Sequence, residues 1–108
     1  MKLSGMVLDD SASRGLMVAS LKRLAAARPE DLFYVFCGGG SRVDALREKF
    51  EWDKDGICKE WQERSGQSTS PQEAAHWLAT GIMDRNGKEM QQACRDVENL
   101  IFPPVTRL

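Results

Sequence analysis

The apolar residues between positions 11 and 27 recur at the spacing of an α-helix. One face of that helix would carry Leu16, Met17, Leu21, Leu24 and Ala25. Asp10 or Ser11 can cap the N-terminus, and Pro29 follows just past the C-terminus. The pattern therefore predicts a helix over residues 11–27.

The pattern in residues 32–37, with the sequence LFYVFC, is compatible with either a helix or a strand. In a helix, Leu32, Phe33 and Phe36 would share one face. In a strand, the segment would pair with residues 2–8 and form a βαβ unit. A two-stranded parallel sheet is an unusual core for so small a chain, because parallel sheets normally need cover on both faces. We therefore favour the helix and keep the strand as the alternative.

Helical periodicity dominates the sequence from Ser41 onward. Turn residues at 53–56 and 84–87 divide this region into helices, the last of which runs through Ile101 and ends before Pro103. Residues 65–70, SGQSTS, contain no apolar residue and predict the main internal loop, a hinge between two packed halves.

A capping-box pattern predicts where the helix after this loop begins. Ser70, Pro71 and Glu73 have the residue types preferred at the N-cap, N1 and N3 positions. The chain as a whole predicts a single domain over residues 1–108, mainly α, built as a compact bundle of about five short helices. The alternative is an α+β fold with a small two-stranded sheet from residues 2–8 and 32–37.

Composition and charge limit the function classes. Apolar residues make up 42% of the 108 residues, and 15 basic side chains stand against 16 acidic ones. This balance argues against nucleic-acid or membrane-surface binding driven by net charge. No apolar run approaches the roughly 20 residues of a membrane-spanning helix.

The three cysteines predict reduced thiols. Cys37, Cys58 and Cys94 cannot all pair within one chain, and none belongs to a CxxC motif. Free thiols favour a cytoplasmic protein, and Asp9 ends the N-terminal apolar run too early for a signal peptide. The cysteines and His76 lack the close-paired spacing of a zinc site, so we predict no metal and no cofactor.

The segment FCGGGSR, residues 36–42, combines a thiol, three glycines and a cation. If a strand precedes it, backbone amides at the start of the following helix could bind an anion and lower the pKa of Cys37. Alternatively, Cys37 is a small core residue and the glycines merely connect two elements, which is the interpretation we favour. The candidate binding residues in this segment are Gly38, Gly39, Gly40, Ser41 and Arg42.

The spacing CxxGxR of Cys37, Gly40 and Arg42 resembles the active-site loop of rhodanese-type sulfurtransferases. In that family a cysteine carries persulfide sulfur, so the resemblance implies Cys37 and Arg42 as catalytic residues. The resemblance covers about six residues, and the chain departs from the family soon afterward.

Trp52 and Trp77 are the residues most indicative of macromolecular recognition. Tryptophan buries a large area at interfaces while its N–H stays available for a hydrogen bond. We expect both to be partly exposed, and we predict a small protein that binds a macromolecular partner, expected to be a protein, stoichiometrically as a regulator, inhibitor or adaptor. The composition is equally compatible with a homo-oligomer. The alternative is a small Cys-dependent or anion-binding enzyme, sulfurtransferase-like or phosphate-binding, that uses residues 37–42.

Overall fold

A computed structural model describes residues 1–105 of the chain. Its α-helices are α1 (Ser11–Ala27), α2 (Gly40–Trp52), α3 (Lys54–Ser65) and α4 (Pro71–Ala93). Its short strands are β1 (Lys2–Leu3), β2 (Phe33–Tyr34), β3 (Phe36–Cys37) and β4 (Leu100–Ile101), and a 3-10 helix spans Gly5–Asp9. The mainly helical fold with a minor sheet is thus confirmed, with four α-helices in residues 1–105 in place of about five.

The helix favoured for residues 32–37 is wrong, because this segment is the central strand region of the sheet. Strand β3 pairs in parallel with β1, and β2 pairs in parallel with β4. The Gly38 amide donates to the Leu3 carbonyl at 2.7 Å, and the Val35 amide donates to the Ile101 carbonyl at 2.7 Å. A third strand, from a region predicted to be helical, therefore pairs with the segment on its second side.

Helix α4 runs without interruption through residues 84–87, where the sequence predicts a turn. It then ends at Ala93, so the predicted final helix through Ile101 is also wrong. Asn86 lies inside α4 and is only 1% exposed, because its side chain bonds to another part of the chain. This tertiary contact outweighs the turn preference of the residues around it.

The predicted helix starts are confirmed by side-chain caps. Asp10 accepts a hydrogen bond from the Ala12 amide at 3.1 Å, and Ser70 accepts one from the Glu73 amide at 3.3 Å. Asp53 separates α2 from α3. Residues 66–70 connect α3 to α4, where the sequence predicts the main loop.

Two hydrophobic clusters share helix α4. The sheet cluster consists of Leu3, Leu21, Val35, Cys37, Met90, Cys94 and Leu100. The helical cluster consists of Ile57, Ala74 and Leu78, with Leu46, Trp61 and Ala75 packed against it. The described residues extend over 49 × 27 × 18 Å with a radius of gyration of 16.0 Å. A globule of about 100 residues has a radius of gyration near 13 Å, so the described residues form an elongated body.

Candidate functional site

The glycine loop, residues 38–40, lies between the end of β3 and the start of α2. It packs directly against the backbone of Gly5 in the 3-10 helix. A Cβ atom on Gly5 would overlap the Gly38 carbonyl oxygen and the backbone of the next two glycines. Gly40 has φ +60°, a left-handed conformation that is unfavourable for residues with a side chain. The glycines therefore permit close contact between two backbone segments.

The N-terminus of α2 already has an anionic partner. Asp9 accepts a hydrogen bond from the Ser41 hydroxyl at 2.8 Å and a longer one, at 3.4 Å, from the Ser41 amide. This carboxylate stands where the sequence predicts an anion, because the first amides of a helix favour negative charge. The helix end is thus satisfied by the chain itself.

Arg42 is held by two residues of α4. Its Nη1 donates to Asn86 Oδ1 at 2.9 Å and to Glu89 Oε1 at 2.9 Å. Asn86 in turn donates to the carbonyls of Gly38 at 2.8 Å and Gly39 at 3.1 Å. Arg42 therefore connects α2 to α4, and Asn86 connects the glycine loop to α4. The sequence does not reveal the role of Asn86, since its neighbours DRNG are typical of a turn.

Cys37 has the environment of a core thiol. It is 5% exposed within the sheet cluster, and burial, followed by the neighbouring Cys94, raises the pKa of Cys37 to about 11. Met90 of the same cluster follows His76 along α4 by about 21 Å, at about 1.5 Å per residue. The structure therefore does not bring the histidine to the cysteine, and a thiol with a raised pKa is a poor nucleophile at neutral pH.

The two candidate tryptophans differ in their surroundings. Trp52, at the C-terminal end of α2, is 72% exposed. Trp77 is half-buried and stacks on Trp61 with ring centroids 6.0 Å apart and planes inclined by 8°. His76 meets the Trp77 ring edge-on at 5.7 Å. Trp77 therefore packs within the helical half, and Trp52 is the freer of the two for contact with a partner.

The largest exposed apolar feature of the strands is one face of the central segment. Leu32, Tyr34 and Phe36 are 63%, 54% and 44% exposed. Because side chains alternate along a strand, Tyr34 and Phe36 point to one side and Phe33, Val35 and Cys37 to the other. Leu32 precedes β2 and lines a cleft beside Ala25 and Ala26 of α1. In register beside the two exposed aromatic residues lie Lys2, which pairs with Phe36, and Ile101, which pairs with Tyr34. We call this surface the open sheet face: Lys2, Tyr34, Phe36 and Ile101.

The opposite face of the sheet is covered by both neighbouring helices. Leu21 of α1, Met90 of α4 and Cys94, which follows the last residue of α4, share the sheet cluster with Val35 and with the other inward-pointing strand residues. No segment within residues 1–105 covers the open sheet face to a comparable extent, as the exposure of Tyr34 and Phe36 shows. The strands are thus packed against helices on one face and are uncovered on the other. The signal for this surface was the uninterrupted apolar run LFYVFC, which is typical of a parallel strand buried on both faces.

A second apolar surface is the groove between α2 and α4. It has a volume of about 310 Å³ and is lined by Val43, Leu46, Arg47, Phe50, Gln72, Ala75, His76 and Ala79. Its floor belongs to the helical half, whereas the open sheet face belongs to the sheet half. A partner could therefore contact either surface without contacting the other.

Within residues 1–105, no three His, Cys, Asp or Glu side chains are grouped closely enough to hold a metal ion. The helices of the same region also lack the length and apolar character needed to cross a bilayer. No family model matches the chain, and no curated protein and no solved structure resembles it significantly. The indications of function therefore lie in the open sheet face and in the groove between α2 and α4.

Proposed function

We propose that this protein acts by binding a protein partner stoichiometrically through the open sheet face. The observation that carries the proposal is the exposure of Tyr34 and Phe36 on one side of the parallel strand pairs. Parallel sheets are normally covered on both faces. A partner would supply the missing cover.

The energetics favour a binding role for these side chains. Removing a large apolar side chain from water contributes roughly 1.5–3 kcal/mol when burial is complete, and proportionately less from a half-exposed position. Tyr34 adds a hydroxyl group, which can stay hydrated at the rim of an interface while the ring is buried. Trp52 lies at the far end of α2 and remains a candidate for a separate contact.

The enzyme alternative draws little support from the geometry around residues 37–42. Cys37 is buried, Arg42 is paired with Glu89, and the α2 N-terminus binds Asp9. Regulation, inhibition or an adaptor function requires only a surface, and the open sheet face is one. The three free cysteines agree with the reducing conditions of the cytoplasm, where we place this activity.

The test compares three immobilised baits in native lysate: the unaltered chain, Phe36→Asp and Leu16→Asp. Leu16 is the matched control, because it is an exposed leucine on α1, outside the open sheet face, with 71% exposure. We expect a partner in a fixed ratio, measured by native mass spectrometry, that is lost with Phe36→Asp and retained with Leu16→Asp. Circular dichroism checks that both variants fold.

A partner retained equally by Phe36→Asp would contradict the proposal. Loss of the partner with Phe50→Asp alone would assign binding to the groove between α2 and α4 instead. Turnover of a small molecule that Cys37→Ser abolishes without unfolding the chain would favour the enzyme alternative.

A further inference from the structure

We propose that the partner segment seated on the open sheet face is an amphipathic α-helix, an inference that rests on the proposed function. The docked helix would complete a helix–sheet–helix sandwich, with α1 and α4 forming the layer already present. Pairing, dimensions and charge each support this occupant.

The strand pairing favours a helix over another sheet. Both strand pairs are parallel, and the segments that connect the strands place α1 and α4 on the same side. Parallel sheets are characteristically covered by helices, and their strands carry apolar residues on both faces. Residues 32–37 have apolar side chains at every position, as such a strand requires.

The dimensions of the face fit one helix and are too small for a stable dimer. The two strand pairs share the central segment but are offset along it, with β4 beside residues 33–34 and β1 beside residues 36–37. Neighbouring strands lie about 4.8 Å apart, so the three strands together span roughly 10 Å. An α-helix with its side chains has a diameter of about 10–12 Å. Each partner in a stable interface contributes about 800 Å². The two half-exposed aromatic side chains offer on the order of a few hundred Å² at most, which is too little for a stable dimer and sufficient for weak binding of a single helix.

The charges at the two ends of the face indicate which charged side chains the bound helix should carry. Lys2 lies in register beside Phe36, at the end of the central segment. Glu30 and Asp31 precede Leu32 at its start, and Asp31 is paired with Arg28 at 3.8 Å. A helix with an acidic residue beside its apolar stripe, placed over Lys2, would complement the face. The same residue over Glu30 would be repelled.

The experiment uses fluorescein-labelled synthetic peptides about five helical turns long, in which leucines form one stripe and glutamates and alanines fill the other faces. The control peptide has the same composition in an order without a stripe. Because the face is small, fluorescence anisotropy with the full chain should give a dissociation constant on the order of 0.1 mM for the striped peptide. The scrambled peptide should bind at least ~10-fold more weakly, a difference of about 1.4 kcal/mol.

Variants assign this binding to the face. Phe36→Asp should weaken binding of the striped peptide at least ~10-fold, and Lys2→Glu should weaken its binding by a few-fold. Leu16→Asp should leave it unchanged, because that residue lies on α1. Equal binding of striped and scrambled peptides, or no striped binding at about 1 mM, would overturn the helix as occupant.

Two further results would separate this inference from the proposed function. A dimer in sedimentation equilibrium that Phe36→Asp abolishes would make a second copy the occupant and overturn the helix. A lysate partner that depends on Phe36 but crosslinks through an extended segment would also overturn the helix, while leaving the proposed function intact.

Discussion

Gly5 shows at the scale of one residue how the glycine loop is built. Its missing side chain lets the 3-10 helix contact the backbone of residues 38–40. A sequence pattern marks Gly38–Gly40 as unusual, but it cannot show that a distant glycine fills the space beside them. The loop therefore has the residue types of an anion site and the geometry of a packing contact.

Gly5→Ala should lower the free energy of unfolding by about 3 kcal/mol or more, because the new Cβ overlaps backbone atoms that cannot rotate away. Gly15→Ala is the matched control, since a Cβ at this position in α1 meets nothing within 4 Å. The control should be stabilising by roughly 0.5–1 kcal/mol. Urea denaturation measures both, and equal effects of the two substitutions would contradict the close contact.

Cys37 should make the folded state less stable at high pH. Burial raises its pKa from the ordinary value of 9.0 to about 11, so the native thiol keeps a proton that the unfolded chain loses. The stabilisation is complete below about pH 9 and is lost as the pH rises through about 11. Between pH 8 and 11, the urea midpoint should fall less steeply with rising pH in Cys37→Ala than in the unaltered chain. The same pH dependence in both proteins would argue against the buried thiol.

The same environment predicts the order of thiol labelling near neutral pH. Cys37 and Cys94 are buried, whereas Cys58 is half-buried and lies 3.6 Å from the Thr69 carbonyl oxygen. Iodoacetamide with mass spectrometry should therefore modify Cys58 first. Fastest labelling of Cys37 in the folded chain would favour the enzyme alternative.

At the scale of elements, helix starts were predictable because their chemistry is local. Asp10 and Ser70 cap α1 and α4 with hydrogen bonds to amides two or three residues away. The strands depend on pairing between distant segments. Residues 33–37 become strand because β1 and β4 supply partners on both sides, and this cannot be read from the segment alone.

Helix α4 is the clearest case of tertiary structure overriding a local preference. Asn86 bonds the glycine loop and Arg42, and this holds the DRNG segment in the helix. The sequence predicted Cys37, Gly38–Gly40 and Arg42 as neighbours, and the structure keeps them near one another. It could not predict Asn86, Glu89 or the open sheet face, because each depends on where α4 passes the sheet.

Gly87→Ala tests the continuity of α4 directly. Gly87 lies inside the helix, and a Cβ there meets nothing within 4 Å. The substitution should therefore raise the free energy of unfolding by roughly 0.5–1 kcal/mol, since alanine is the better helix former. A turn with a left-handed glycine would instead be destabilised, so a lower urea midpoint would contradict the continuous helix.

At the scale of the whole molecule, the two hydrophobic clusters stabilise the fold, and the open sheet face is available for binding. Helix α4 joins the helical half to the sheet half, and the Arg42 network fixes their junction. The strands are packed on one side and expose Tyr34 and Phe36 on the other. The central claim is that a partner covers this second side.

Covalent footprinting of the complex with the striped peptide tests that claim most directly. Photochemically generated carbenes label exposed side chains, and mass spectrometry locates each modification. We predict that the peptide reduces labelling of Tyr34 and Phe36 several-fold and leaves Leu16 and Trp52 unchanged, because only the first two lie on the open sheet face. Unchanged labelling of Tyr34 and Phe36, with protection at Trp52 or in the groove between α2 and α4, would contradict the account.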